Sequence, residues 1–264
     1  MKCTGLFSNA RACAAGLFAV AYSLLNSYTG MRLLRPYAEG IIRLFYPLLC
    51  KACGNEVFSS DNQLCWQCHE ALPYTGFEAH ADNPVRHLFT GRLHLEQAFS
   101  LLYFSKESIT QAVIHRFKYQ GEQELARYMG RLMAQRMLQH PHWQQVDALV
   151  PLPLNKRKLK QRGYNQAQLL AEGMSQVMNV PVHNTAVLRT RYTETQTRKT
   201  RLQRWLNVEH VFDIEKEHQL HGQHVILVDD VITTGATMDA MGAVLQRVPN
   251  LRLSLASLAY ASRI

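Results

Sequence analysis

Two adjacent acids and a turn rich in hydroxyl groups lie side by side in the stretch VILVDDVITTGATM, residues 225–238. Asp229 and Asp230 follow four apolar residues, and carboxylates in such a position can accept hydrogen bonds from the vicinal hydroxyls of a sugar. The segment TTGAT that follows offers hydroxyl donors and backbone N–H groups, which suit a phosphate. The stretch therefore predicts a site that holds both ends of a ribose 5-phosphate. An acidic strand end that binds no ligand is the alternative.

Four cysteines form a second group whose spacing could do chemistry. They lie in the pairs CKAC (50–53) and CWQC (65–68), separated by eleven residues. Two such pairs can offer four thiolates in the tetrahedral array that zinc requires, and such a set leaves no coordination position open. We therefore predict a structural Zn²⁺ held by Cys50, Cys53, Cys65 and Cys68. Reduced or disulfide-paired cysteines without a metal are the alternative.

Length and composition limit the kinds of protein that could carry these two groups. The chain has 264 residues, of which 47% are hydrophobic and 19% are charged. This is enough for one sizeable core and a small appendage, and it argues against long disordered tracts. The formal net charge of +9 favours phosphorylated or polyanionic partners.

Strand-like and helix-like segments alternate from about Glu96 onward, which predicts an α/β domain with a mostly parallel sheet. Ligands bind beyond the carboxyl ends of the strands in such sheets, so the strand 225–228 would deliver both acids to that edge. A strand at 147–154 is followed by the basic segment NKRKLKQRG, which we interpret as a loop. The expected strands are 98–104, 147–154, 225–228 and 251–260, and the expected helices are 108–120, 123–139, 165–178 and 236–248.

The N-terminal part needs a separate interpretation. Its apolar run, residues 12–25, is too short for a comfortable transmembrane helix, so we expect no stable membrane span. A secretory signal would fit poorly with metal-binding thiols. We expect a dispensable extension, with Met31 as an alternative start, and a cytoplasmic protein. The predicted organisation is an extension at 1–47, a four-cysteine zinc module at 48–75, a linker at 76–95 and the main domain at 96–264.

The stretch VILVDDVITTGAT resembles the signature of type I phosphoribosyltransferases, which bind phosphoribosyl pyrophosphate (PRPP). Three further blocks resemble successive blocks of the ComF family, which includes competence-associated proteins and GntX-like relatives linked to the use of external DNA. These blocks are FKYQGEQELA (117–126), VPLPLNKRKLKQRGYNQAQLLA (150–171) and TETQTRKTRLQRWLNVEHVF (193–212). With the cysteines, the resemblance covers residues 48–264. It implies a type I phosphoribosyltransferase-like sheet flanked by helices and a zinc-ribbon-like module.

The resemblance also implies roles for individual residues. Asp229 and Asp230 would be the catalytic acids. Arg157 and Arg162 would bind the pyrophosphate, and Lys118 is a further candidate for the same edge, although a merely solvated charge run is the alternative. The residues expected to bind the 5-phosphate of PRPP are Thr233, Thr234, Gly235, Ala236 and Thr237.

The polar and basic segment 189–207 corresponds in this resemblance to a flexible loop that closes over the ligand. Thr195, Gln196 and Arg204 occupy positions that match the family pattern. Closure would exclude water from a reactive ribosyl cation. An exposed helix is the alternative for residues 198–207.

Two functions are compatible with these features. In the first, the protein is a phosphoribosyltransferase that binds PRPP with Mg²⁺ and acts in DNA uptake, competence or the use of external DNA. In the second, it is a non-catalytic, nucleotide-sensing accessory protein associated with single-stranded DNA or with the DNA-uptake machinery. The basic net charge and the cysteine pairs motivate the second.

Overall fold

A computed structural model describes residues 47–57, 59, 61–189 and 211–261 of the chain. The predicted N-terminal extension lies outside the described residues except for its last position. The predicted loop residues Thr195, Gln196 and Arg204 also lie outside them.

Strands and helices alternate along the main part of the chain, as the sequence pattern predicts. The strands are β1 (Ala98–Tyr103), β2 (Ala148–Pro151), β3 (Val187–Arg189), β4 (Phe212–Ile214), β5 (His224–Ile232) and β6 (Arg252–Tyr260). The helices are α1 (Trp66–Glu70), α2 (Pro84–His87), α3 (Ile109–Tyr119), α4 (Gln123–Met137), α5 (Lys156–Arg162), α6 (Gln166–Met178) and α7 (Ala236–Leu245).

Four strands form one sheet in the order β1-β6-β5-β2, and all of its neighbouring pairs are parallel. Residues 225–228 of β5 are completely buried, as expected for a strand that is covered on both faces. Strands β3 and β4 form a separate antiparallel pair. The predicted fold class, a parallel sheet flanked by helices, is confirmed.

Helices α4 and α6 pack closely against each other, and the approach depends on two glycines. A Cβ atom at Gly130 would collide with the backbone of Leu170, and one at Gly173 would collide with the backbone of Arg127. The two helix backbones therefore fit together only because neither glycine carries a side chain.

The interpretation of the basic segment after β2 as a loop is wrong, because residues Lys156–Arg162 form helix α5. The Asn155 side chain accepts a hydrogen bond from the N–H of Arg157, and Gly163 ends the helix with a φ of 82°. None of the helix residues is buried. The segment therefore has no apolar period that could have revealed it.

The cysteine module packs against the main part of the protein. Buried Leu64 and Leu72 belong to the same hydrophobic cluster as the sheet residues. Lys51 forms an ion pair of 2.8 Å with Glu122 at the start of α4. The backbone of Tyr74 forms an isolated antiparallel β-bridge with Leu102 of β1. The following segment contains a short 3-10 helix, Phe77–Ala79, and helix α2. The domain boundaries given above stay a prediction.

Candidate functional site

The two acids lie in the C-terminal part of β5, past the end of β2, one of its two neighbouring strands. The last residue of β2, Pro151, pairs with Val228, so β5 continues beyond β2 from Asp229 onward. Both acidic side chains are partly buried. The backbone N–H of Asp230 donates to Oδ1 of Asp229 over 2.8 Å. The acids thus lie at the carboxyl edge of the parallel sheet, where such folds bind ligands.

A lysine from a distant segment pairs with the second acid. Nζ of Lys118, in the last turn of α3, lies 2.8 Å from Oδ2 of Asp230. Only 18% and 15% of the two side chains are exposed, so solvent screens this pair less than a surface pair. The structure therefore brings Lys118 to the acids. The sequence analysis gave this lysine as a candidate for the same edge of the sheet.

Burial and the neighbouring charge of Asp230 raise the pKa of Asp229 to about 8. The hydrogen bond from the N–H of Asp230 and the positive charges of Lys118 and Arg189 lower this pKa but do not cancel the rise. A protonated carboxyl group can donate as well as accept a hydrogen bond. Near neutral pH, Asp229 can therefore offer both roles to a sugar hydroxyl.

Arg189 is a residue near the acids that the sequence reasoning did not single out. It ends β3, its guanidinium lies 5.4 Å from the centre of the Phe212 ring, and it is partly buried. Burial lowers its pKa, while the charge of Asp229 raises it. The only hint of Arg189 in the sequence was the basic run RTR at 189–191. Because the following residues are equally basic, this run did not distinguish Arg189 from them.

The turn after β5 has the shape that an anion site needs. Gly235 has a φ of 75° and precedes helix α7. A Cβ atom at this position would lie 2.9 Å from the Phe89 ring, so both the backbone conformation and the packing favour glycine. The other four predicted residues of the turn are exposed, namely Thr233, Thr234, Ala236 and Thr237.

Asp229 and the turn share one concave surface, which is lined by Asp229 and by residues 231–238. The first N–H groups of α7 have no partner within the helix, and the positive end of the helix dipole lies there. The arrangement can therefore accept an anionic group at one end and hydroxyl groups at the other.

Arg162 lies beside the same end of α3 that carries Lys118. Its guanidinium donates to Oε1 of Gln166 over 2.8 Å and stacks on the ring of Tyr119, 5.0 Å from the ring centre. Arg157, in contrast, is exposed, and no contact of its side chain with the acids is seen among the described residues. Of the two arginines, Arg162 contacts Tyr119 at the end of α3 that carries Lys118, whereas no such contact of Arg157 is seen in the part of the chain that the structure describes.

The block that contains Arg162 is tied to two neighbouring elements. Oη of Tyr164 donates to the carbonyl of Phe117 over 2.5 Å. The side chain of Asn165 donates to the carbonyl of Leu152 over 2.9 Å and accepts from the N–H of Ala167. These bonds hold the start of α6 against the end of α3 and the end of β2.

The four cysteines of the module converge as predicted. Their sulfur atoms all lie within 4.8 Å of one another, and those of Cys53 and Cys65 are 3.6 Å apart. A tetrahedral zinc site with bonds of 2.3 Å has sulfur atoms ~3.8 Å apart. Backbone N–H groups of Ala52 and Asn55 approach the sulfurs of Cys50 and Cys53 at 3.4 Å. The cluster could hold a metal ion, and its geometry is consistent with zinc.

The thiols of the cluster differ in how readily they ionise. Burial alone would raise the pKa of Cys50, but hydrogen bonds from the backbone of Cys53, Cys65 and Ala52 lower it to about 6. Burial, the neighbouring thiols and the charge of Cys50 raise the pKa of Cys68. The protein groups alone therefore do not keep all four cysteines ionised, whereas a bound cation would.

Larger cavities lie elsewhere in the described residues. One of about 560 Å³ is lined by Arg86, His94 and Arg252 among others, near the start of β6. Another of about 530 Å³ lies beside the exposed Trp66 and helix α4. Neither contains the acids or the turn, so cavity size alone does not identify the site.

Comparisons with known proteins agree with this architecture. A family model described as a phosphoribosyl transferase domain matches residues 164–262. Competence protein F of Haemophilus influenzae is 27% identical over 213 residues, 77% of this chain and 93% of that protein. DNA utilization protein YhgH of Escherichia coli is 29% identical over 202 residues, 75% of this chain and 84% of that protein. Competence protein ComFC of Bacillus subtilis is 25% identical over 217 residues, 73% of this chain and 86% of that protein.

The chain therefore carries a phosphoribosyl transferase domain, which contains the acids and the turn. Over most of its length it is a homologue of the competence protein F, ComFC and YhgH proteins, which confirms the resemblance drawn from its sequence blocks. No helix in the described part of the chain is both long and apolar enough to span a membrane.

Proposed function

We propose that this protein binds PRPP, with Asp229 and Asp230 on its ribose and residues 233–237 on its 5-phosphate. The observation that carries the proposal is the concave surface at the carboxyl edge of the sheet that joins Asp229 to the turn, with Asp230 next to Asp229 in β5. One ligand with vicinal hydroxyls and a terminal phosphate would fill both halves. Other anions would use only the turn.

The contacts at the acids suggest how the sugar is held. One oxygen of each carboxylate is engaged, Oδ1 of Asp229 by the N–H of Asp230 and Oδ2 of Asp230 by Lys118. We assign the second oxygen of each acid to one ribose hydroxyl. On the phosphate side, the hydroxyls of Thr233, Thr234 and Thr237 would join the N–H groups of residues 235–237.

The pyrophosphate of PRPP needs cations at the opposite end of the ribose. We assign this role to Lys118, which pairs with Asp230, to Arg162, whose guanidinium lies over the ring of Tyr119 next to Lys118 in the chain, and to Arg157 as an outer contact. A Mg²⁺ ion would be carried mainly by the oxygens of PRPP and by water, as this hard cation prefers, with the acids in an outer role.

Phosphoribosyl transfer is the reaction that such a site would support. The bond between the anomeric carbon and the pyrophosphate oxygen breaks, and its electron pair leaves with the pyrophosphate. A nitrogen nucleophile or water then forms the new bond and gives up a proton. Positioning and charge stabilisation would supply most of the rate enhancement. The loop roles of Thr195, Gln196 and Arg204 stay a prediction.

The names of the relatives suggest the biological setting. Two of them are competence proteins and one is a DNA utilization protein. We therefore infer that this chain handles a ribose 5-phosphate compound in the uptake or use of external DNA. A cytoplasmic location would fit this role and stays a prediction.

The site is tested by replacing both acids with their amides. We expect Asp229→Asn combined with Asp230→Asn to lower the affinity for Mg²⁺–PRPP about a hundredfold or more, because the hydrogen bonds of both acids to the ribose are altered and Asp230 loses its charge. Titration calorimetry on the full chain with its metal retained measures this. Glu215→Gln combined with Glu217→Gln makes the same acid-to-amide replacement at two exposed positions and serves as the control. Equal affinities of the two double variants would contradict the proposal.

An exposed basic helix favours a second candidate function, association with single-stranded DNA. None of the α5 residues is buried, and the helix carries Lys156, Arg157, Lys158 and Lys160. Phosphate neutralisation predicts that affinity for a labelled oligonucleotide falls linearly with salt on a double logarithmic plot. We expect replacement of these four residues by glutamine to reduce the slope, as measured by fluorescence anisotropy. An oligonucleotide affinity that changes neither with salt nor with the replacements would exclude this role for α5.

A further inference from the structure

We propose that the cavity of about 560 Å³ near the start of β6 is a second ligand site, which binds a phosphate monoester with an apolar body. The cavity is lined by Arg86, by residues of the segment 90–96, by Gln246 and by residues 251–253. The inference does not rest on the proposed function, because neither the acids nor the turn contributes to this cavity.

The cavity lies at the opposite edge of the sheet from the acids. Arg252 is the first residue of β6, and it pairs with His224, the first residue of the parallel strand β5. Asp229 lies further along β5, about 16 Å from His224 at the rise of an extended chain. A small ligand in the cavity therefore leaves the acid site open, and the chain can hold two ligands at once.

The size and the apolar walls of the cavity suit a small organic ligand. Ligand pockets in proteins have volumes of roughly 300–1,000 Å³ and are lined mainly by apolar side chains with a few polar groups. Leu93, Leu95 and Leu253 line this cavity and belong to the hydrophobic core, and Leu251 packs against that core. An apolar ligand body that covers these leucines is removed from water, which favours binding.

Two guanidinium groups give the cavity its preference for an anion. Arg86 and Arg252 both line it, and the fold connects them through a backbone segment. The guanidinium of Arg86 donates to the carbonyl of Glu96 over 2.8 Å. The N–H of Glu96 in turn donates to the carbonyl of Leu253, the residue next to Arg252. A phosphate monoester carries nearly two negative charges at neutral pH and accepts paired hydrogen bonds from guanidinium groups.

The walls of the cavity are held in place by contacts with α7. The side chain of Gln246, at the C-terminal end of α7, donates to the carbonyl of His94 over 2.6 Å. Arg92 forms an ion pair of 2.8 Å with Asp239 of the same helix. A preformed site of this kind loses little conformational freedom when a ligand binds.

Amide chemical shifts of the isotope-labelled full chain test the site with phenyl phosphate, inorganic phosphate and benzoate. We expect phenyl phosphate to shift the signals of Gly91, Leu95 and Leu253 together and to saturate them. The other two probes should bind there about fivefold more weakly or worse, because phosphate lacks the apolar body and benzoate carries only one negative charge. A probe that also enters the turn shifts the signals of Gly235 and Ala236, which report that site separately.

Charge variants identify the groups that hold the anion. Arg252→Gln should weaken phenyl phosphate binding about fivefold or more, because it removes an attractive charge. Glu96 also lines the cavity and repels an anion, so Glu96→Gln should strengthen the binding about twofold. Arg247→Gln removes a positive charge from an exposed position outside the cavity and should leave the affinity unchanged. Thermal melts show whether each variant is folded.

Three results would overturn the inference. The first is a phenyl phosphate titration that leaves the signals of Gly91, Leu95 and Leu253 unmoved. The second is an equal affinity of the Arg252→Gln and Arg247→Gln variants for this probe. The third is inorganic phosphate or benzoate that binds the cavity as tightly as phenyl phosphate. None of these results bears on PRPP binding, which the variants of the two acids test.

Discussion

The cysteine cluster and the acid pair both bring together groups that can carry negative charge, but the protein compensates this charge in different ways. At the acid pair, the fold supplies Lys118 as a direct partner and Arg189 as a nearby charge, and Asp229 has a raised pKa. In the cysteine cluster, the sulfurs receive backbone N–H groups, while the lysine next to Cys50 pairs with Glu122 instead.

This difference is the one expected between the proposed ligand site and a structural metal site. A cluster of four ligands that is completed by one ion has no position left for a substrate. The charge of the acid pair is compensated by the side chains of Lys118 and Arg189, which can form new contacts. A ligand with hydroxyls and phosphates can therefore bind to the acids and to these cations. The comparison therefore predicts that a metal governs the stability of one region and that charge and pH govern the other.

Loss of the metal should have the largest effect. We expect Cys65→Ser to lower the melting temperature by about 10 °C or more, because three cysteines bind zinc far less tightly and this binding energy contributes to folding. Differential scanning calorimetry, together with metal analysis, measures this. Cys13→Ser lies outside the cluster and is the control. A Cys65→Ser variant that melts like the Cys13→Ser variant would show that no metal stabilises the module.

A methyl group at Gly235 should have the next largest effect. Gly235→Ala meets both an unfavourable φ of 75° and the Phe89 ring, so we expect a loss of about 2–4 kcal/mol of unfolding free energy and weaker PRPP binding. Gly222 has a φ of 71° and open space around it. Gly222→Ala should therefore cost about 1 kcal/mol, with binding unchanged. Equal losses in urea unfolding would mean that Phe89 does not support the turn.

The pH dependence of stability should show a smaller effect at Asp229. Its folded pKa of about 8 lies above that of an unfolded aspartate, so the folded state holds a proton that the unfolded state releases. Stability must therefore fall as pH rises from about 4 to about 8.

Asp229→Asn removes this penalty. The variant should be more stable than the unaltered protein by about 1–2 kcal/mol at pH 9 and should show no such gain at pH 4. Urea unfolding at both pH values tests this, with exposed Asp213→Asn as the control. A gain that is the same at both pH values would contradict the raised pKa.

How well the sequence predicted each feature depends on how local its determinants are. The acids, the turn and the cysteine pairs each occupy short contiguous stretches, so their chemistry is visible from residue types and spacing. The buried strand 225–228 is likewise visible, because a short continuous apolar run is typical of a strand that is covered on both faces. From these features the fold class and the four-cysteine cluster could be predicted.

Features that depend on tertiary contacts were less visible. The pairing of Lys118 with Asp230 joins residues whose contact is created only by the sheet and α3. Arg189 has basic neighbours of the same type, so nothing in the sequence distinguishes it. Helix α5 was missed because its stability comes from capping by Asn155 and Gly163 rather than from a buried face.

The central claim is that one ligand engages the acids and the turn together. Amide chemical shifts of the isotope-labelled full chain, followed during titration with Mg²⁺–PRPP, test it most directly. We expect the signals of Asp230, Gly235, Ala236 and Thr237 to shift together and to saturate at the same ligand concentration. Saturable PRPP binding that moves none of these four amides would place the ligand elsewhere and contradict the account.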